Sequence, residues 1–261
     1  MNGVLALIAP APLIAGCAVL GLLFGSFFTV LVHRLPRRLL GDSADTLWAP
    51  RSHCPHCRHV LGAWENLPLL SWLGLRGRCR ACHTPVGWHY PLLEAGSMLL
   101  AAALAWHFGA GWSLAGALLL CGFLLPLAVI DARTGLLPDS LTRPLLWLGL
   151  LFNLSADGFA PLPAAVIGAA GGYAVLWLTC RACTLLTGRD GMGHGDFKLL
   201  AAIGAWLGWP QLGPVLLLAA GSAALVGVLL IASGRRHRHD AIPFGPYLAA
   251  AAVVVLWRAP F

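Results

Sequence analysis

GMGHGDFKLLAAIGAWLGW, residues 191–209, sets one acid, Asp196, at the mouth of a run otherwise apolar enough to lie in a bilayer. Ionisable groups at such depths are costly to keep and mark function. Whether this run is a membrane helix decides the fold, and the rest of the chain answers the question. Of its 261 residues 59% are hydrophobic and only 10% charged, with a mean hydropathy of +0.79, against about 25% charged in a soluble domain. Helical spans need roughly 20 apolar residues, and about eight segments meet or approach that length. They are 5–32, 91–108, 112–130, 139–155, 162–182, 197–209, 212–233 and 244–258, the sixth being short. They are continuous Leu/Ala/Gly/Val runs, unlike the ten-residue alternation of a membrane β-barrel. The fold class is therefore an all-α polytopic membrane protein.

The first segment has no Lys or Arg before it and is long for a signal-peptide core, so it reads as a retained helix. Arg34, Arg37 and Arg38 follow it directly, which by the positive-inside rule places the N-terminus outside and residue 34 onward in the cytoplasm. Alternation along the eight segments then puts every Lys and Arg of the 17 on the cytoplasmic side except Arg258. That asymmetry accounts for the net charge of +7 through orientation and anionic-lipid contact, with no need of nucleic acid. Trp106, Trp112, Trp206, Trp209 and Trp257 fall at outer segment ends, where amphipathic rings settle.

Three divisions follow: a first transmembrane helix (1–33), a cytoplasmic domain (34–90) and a membrane-embedded core (91–261). In the second, CPHC (Cys54, Cys57) and CRAC (Cys79, Cys82) have the spacing of a four-cysteine zinc ribbon. A reducing compartment disfavours two disulfides, and a segment with few aliphatic residues needs metal-binding energy to fold. Four thiolates close the shell, so the metal is structural, and His53, His56, His59 and His83 are bystanders. A second CRAC, Cys180 and Cys183, ends an apolar helix and reads as packing thiols.

Asp131 ends the third segment and Asp196 opens the sixth, so alternation sets both carboxylates at the cytoplasmic boundary. Two neighbouring carboxylates cannot both ionise cheaply; one keeps a proton and the other serves as base, the arrangement by which aspartic proteases activate water. Gly193 and Gly195 would allow unusual backbone angles and close approach of a substrate strand. A plainer account makes Asp196 the N-cap of the helix that begins there, and capping is the favoured reading for Asp139 after Pro138. Lys198, the single lysine, either supports an ionised carboxylate or extends to the interface. In IPFGPYLA (242–249), Phe244, Gly245 and Pro246 enter the last segment extended, either lining the candidate site or forming a plain helix-entry turn.

These elements together resemble the type IV prepilin peptidases, bacterial inner-membrane aspartic proteases of the GxGD class. The resemblance runs nearly end to end, through GSFFTVLVHRLP (25–36), the two CxxC pairs, ENLPLLSWLGLRGRC (65–79), YPLLE (90–94), IDARTGLLPDSLTRPLLWLGLLFN (130–153), the stretch at 191–209 and IPFGPYLA. It implies that Asp131 and Asp196 cut the basic leader from prepilins or type II secretion pseudopilins after a glycine, at the cytoplasmic membrane face. It also implies N-methylation of the new terminus with S-adenosylmethionine, and an indirect link to the pilus or secretion machinery. Residues show no dinucleotide-type glycine fingerprint; the cytoplasmic domain, with Arg76, Gly77 and Arg78, is the place the resemblance leaves for that cofactor. Thr29 stands where the family usually has Asn, which predicts altered fine geometry and retained proteolysis.

The alternative is a proton- or cation-coupled transporter with the zinc ribbon as docking module. Its relay would need an acid at mid-depth, whereas Asp42, Asp45, Glu65, Glu94, Asp139, Asp157, Asp190 and Asp240 lie at boundaries or in loops.

Overall fold

A computed structural model of the chain describes residues 10–41, 51–188, 193–234 and 242–258. Asp42, Asp45, Arg189, Asp190, Gly191, Arg235, Arg236, Arg238 and Asp240 lie outside the described residues. The regular elements described are α1 (Pro10–Leu39), a short α2 (Leu70–Gly74), α3 (His89–Phe108), α4 (Trp112–Thr134), α5 (Asp139–Phe152), α6 (Leu162–Thr187), α7 (His194–Leu207), α8 (Leu212–Ala232) and α9 (Gly245–Arg258). Strand pairing among the described residues is confined to two isolated bridges, His53 with Val60 and Arg78 with Pro85.

Among the described residues each of the eight apolar segments falls mainly on a helix, and five of these helices, α1, α3, α4, α6 and α8, are long and apolar enough to cross a membrane. The other three, α5, α7 and α9, have 14 residues each, about 21 Å of helix against roughly 30 Å of hydrocarbon. The expectation of about eight transmembrane helices is thus not confirmed by length; a helix walled in by protein need not match the bilayer. Most of α7 has that character: every residue from Asp196 to Leu207 except Lys198 is buried.

The chain divides into two compact units, residues 1–114 and 115–261. In the first, α1 and α3 pack against each other through Gly21 and Gly25. A Cβ at Gly21 would lie 2.5 Å from the Ser97 carbonyl oxygen, and one at Gly25 would lie 2.9 Å from Glu94 Cα. This small-xxx-small spacing brings backbones into direct contact, the main attraction available between helices in lipid.

In the second unit the same device seats α6 on α7. A Cβ at Gly172 would lie 2.7 Å from the Leu200 carbonyl oxygen, and Gly168 and Gly204 meet backbone to backbone. At the far end of α7, Trp206 is fully buried and its indole N–H donates to the Leu145 carbonyl at 2.8 Å. Its ring stacks on Phe152 at 5.1 Å, and Gly149 is small enough to admit it. The expectation that Trp206 settles at the membrane interface is corrected here: a polar N–H with a protein partner needs no interface. Asn153 closes this end, its amide donating to the Ala205 and Trp206 carbonyls at 2.8 and 2.9 Å while its oxygen accepts from Ala160 N–H.

Candidate active site and metal centre

The second unit buries both aspartates, Asp131 at 5% and Asp196 at 8% exposure. Asp131 lies in the last turn of α4, and its Oδ2 accepts the Gly245 N–H at 2.8 Å. That N–H lacks an intrahelical partner because Gly245 begins α9, so the helix start serves as a fixed donor for the carboxylate. A Cβ at Gly245 would stand 2.7 Å from Asp131 Oδ2, so only glycine brings its backbone this close.

Asp196 sits in the first turn of α7, and the charge of Asp131 acts on it. Its Oδ1 is the one buried side-chain oxygen or nitrogen among the described residues with no hydrogen-bond partner. The N-cap of α7 is Gly193, with no side-chain cap bond, so Asp196 does not perform the capping considered for it. An unbonded buried carboxylate oxygen costs stability.

Of the two flanking glycines, Gly195 acts by size. Gly193 has φ −73°, and neither it nor Gly195 has a positive φ. A Cβ at Gly195 would meet Leu137 at 2.8 Å, whereas one at Gly193 would come no nearer to Asp196 Oδ2 than 3.9 Å. Phe244 and Pro246 flank Gly245 at the head of α9. Lys198 turns to a third acid: its ammonium meets Asp139 Oδ1 at 2.6 Å, while Arg143 takes Asp139 Oδ2 at 2.6 Å. The N-cap of α5 is Pro138 with no side-chain cap bond, so the capping role expected of Asp139 gives way to these two ion pairs.

In the first unit, each CxxC forms a tight knuckle. Cys54 N–H donates to the His59 carbonyl and Cys79 N–H to that of Thr84, both at 2.9 Å. Arg58 and His83, one residue past each pair, adopt positive φ of 59° and 57°. The two knuckles therefore repeat one local design, a repeat too short to stand out in the sequence. Cys54 and Cys82 sulfurs lie 3.8 Å apart and those of Cys57 and Cys79 3.9 Å, with all four ligand atoms within 4.8 Å. A tetrahedral centre with bonds of about 2.3 Å requires sulfurs about 3.8 Å apart, so the four cysteines fit a metal ion. Hydrogen bonding from Thr84 pulls the Cys82 thiol down to about 6. At Cys57 the lowering bond from His59 is outweighed by desolvation and the other three sulfurs, and its thiol is pushed up to about 12. Among the histidines, His59 pairs with Glu65 at 3.2 Å, and the Gly62 N–H and then His59 hold that carboxyl below its usual range.

Arg76, Gly77 and Arg78 take separate places. Gly77, with φ +67°, turns the chain directly against the Trp72 ring, 2.8 Å from where a Cβ would stand. Arg78 lines a cavity of 660 Å³ that also meets Trp72, while Arg76 is exposed and does not line it. The sequence reading missed this cavity, the role of Glu94 in its wall and the glycine spacings; Gly21-x-x-x-Gly25 beside the LLE of α3 was the available signal.

Residues 19–108 match a family model described as the bacterial peptidase A24 N-terminal domain, and residues 118–231 match one described as the type IV leader peptidase family. A prepilin leader peptidase/N-methyltransferase of Aeromonas hydrophila is 49% identical over 255 residues, covering 90% of this chain and 88% of that one. Proteins of the same name from Burkholderia pseudomallei (strain 1026b) and Neisseria gonorrhoeae are 48% and 44% identical, covering 94% and 93% of this chain and 85% and 91% of theirs. No solved structure matches the chain.

Proposed function

The chain belongs to the type IV leader peptidase family, and from that premise we propose that it removes the basic leader of prepilins or type II secretion pseudopilins after a glycine and N-methylates the new terminus. The observation that carries the peptidase reading is the pair of buried carboxylates, Asp131 fixed by Gly245 N–H and Asp196 carrying an unpartnered oxygen. One carboxylate takes a proton from the attacking water as its neighbour donates one towards the carbonyl oxygen. The tetrahedral intermediate then collapses, the C–N bond breaks, and the amine leaves with a proton from the dyad. Family membership favours this chemistry over the transporter reading.

Arg34, Arg37 and Arg38, at the C-terminal end of α1, support an inner-membrane orientation with the N-terminus outside and segment 34–90 in the cytoplasm. A pilin precursor has the same charge logic, with its apolar helix in the bilayer and its basic leader held back. Shared topology therefore does part of the positioning of the scissile bond. The metal held by Cys54, Cys57, Cys79 and Cys82 is zinc in this reading, bound for structure because four thiolates leave no open position. Core residues 91–261 carry cleavage.

Intact-mass analysis of a pilin-like precursor incubated with membranes containing the protein, with and without S-adenosylmethionine, tests both activities. Loss of the leader and a gain of one methyl group is the expected result. A precursor left whole across several pilins and pseudopilins refutes the peptidase reading; cleavage without methyl gain refutes the second activity.

A further inference from the structure

The first unit contains a cavity of 660 Å³ whose wall runs from α1 through both knuckles and α2 to the start of α3. That volume lies in the range of small-molecule sites. Its wall holds flat ring surfaces, Phe27, Trp72 and Tyr90, beside opposed charges, the guanidinium of Arg78 and the carboxylate of Glu94. The combination suits a ligand that joins an aromatic base to a zwitterionic amino acid.

Glu94 is the most constrained group in that wall. Its exposure is 9%, and its Oε2 accepts the Leu69 N–H at 2.8 Å. Leu69 delivers this bond from φ +58°, ψ −46°, a conformation rare for a leucine and of the kind found at functional sites. The Ser26 side chain also bonds the carboxylate, and Gly25 lets α1 press against Glu94 Cα. Two separate segments, α1 and the turn at Leu69, thus fix one acid at a cavity wall.

We propose that this cavity binds S-adenosylmethionine and the freed N-terminal amine together, and that Glu94 holds the amine and takes its proton. The proposal rests on the methyl-transfer reading above and locates it. In the step, the terminal ammonium gives one proton to Glu94. The amine lone pair then forms the new N–C bond as the S–C bond breaks, and its electron pair stays on sulfur, converting the sulfonium to a neutral thioether. The methylated amine leaves as a secondary ammonium, and Glu94 returns its proton to water. Thr29 also lines the cavity, but its hydroxyl donates to the Ser26 carbonyl at 2.7 Å, so it orders the α1 wall and leaves the ligand to its neighbours.

The test uses the full-length, metal-loaded protein in lipid nanodiscs with tritiated S-adenosylmethionine, read by equilibrium dialysis and by ultraviolet crosslinking with peptide mapping. Expected are crosslinks on peptides lining the cavity and a loss of affinity of about tenfold or more in Ser71→Trp and Val30→Trp, which fill it. Glu94→Gln keeps an acceptor for Leu69 N–H, so methyl-transfer kcat should fall about 100-fold or more, with KM for S-adenosylmethionine moving by less than about threefold. Crosslinks confined to other residues, undiminished binding in both filled variants, or an unchanged kcat in Glu94→Gln would overturn the site while wild-type methylation stands. Wild-type protein that neither binds nor methylates would overturn the methyl-transfer reading with it. Metal content and leader cleavage report whether each variant has folded, and the crosslink map on wild type requires no variant.

Discussion

Gly245→Ala isolates the geometry of the aspartate pair from the stability of the protein. An added Cβ would stand 2.7 Å from Asp131 Oδ2 and 3.1 Å from its Cγ. Ordinary contact begins near 3.4 Å, so 3.4 − 2.7 = 0.7 Å of movement must come from the carboxylate or the start of α9. Either movement should disturb the 2.8 Å bond from Gly245 N–H. Displacing a reacting group by about 1 Å costs on the order of 100-fold in rate, so cleavage should fall roughly ten- to 100-fold. Helix propensity pulls the other way, since alanine is favoured over glycine within a helix by up to about 1 kcal/mol, so thermal stability should be maintained. The assay is the initial rate of leader loss from a pilin precursor by intact mass, at matched protein in membranes, alongside the melting temperature in detergent. A rate within about twofold of wild type would refute the argument that Gly245 fixes Asp131 for cleavage.

Asp131→Asn and Asp196→Asn should each abolish cleavage, by about 1,000-fold or more, while the protein still inserts and retains its metal; persistent cleavage in either removes that residue from the pair. Cys79→Ser should lower bound zinc, measured by elemental analysis, and increase proteolysis between residues 51 and 88, because metal binding carries the folding energy of a knuckle domain; full zinc content would exclude the four-sulfur site. Asn153→Ala strands the Ala205 and Trp206 carbonyls and the Ala160 N–H, a loss of about 3 kcal/mol that should show as a lower melting temperature. Gly172→Leu forces α6 away from the Leu200 backbone and should destabilise the second unit more than Gly213→Leu, where nothing lies within 4 Å of the added Cβ; equal melting temperatures would refute the close-approach account.

Much of the molecule was legible as local pattern. Hydropathy located the eight apolar helices because bilayer insertion demands continuous runs, and CxxC spacing located the four sulfurs because a knuckle is built from neighbours in sequence. The partners of isolated polar residues were less legible. Asp139 and Asp196 each had the local setting of a cap, yet Asp139 found Lys198, 59 residues away, and Asp196 found the charge of Asp131. Trp206 had the setting of an interface ring and found the Leu145 carbonyl instead. Span length misled for a related reason: the 14-residue α7 is enclosed by protein and answers to its neighbours rather than to the lipid.

The sequence by itself determined a helical membrane chain, a cluster of four cysteines able to hold a metal ion and two candidate aspartates, since each follows from periodicity, spacing or the cost of charge in an apolar medium. Tertiary structure alone decided that Gly245 holds Asp131, that Lys198 serves Asp139, and that Glu94 joins Leu69 and Ser26 at the wall of a cavity. Those pairings depend on which backbones approach closely enough to touch, and it is the placement of glycines across helices distant in sequence that permits the approach.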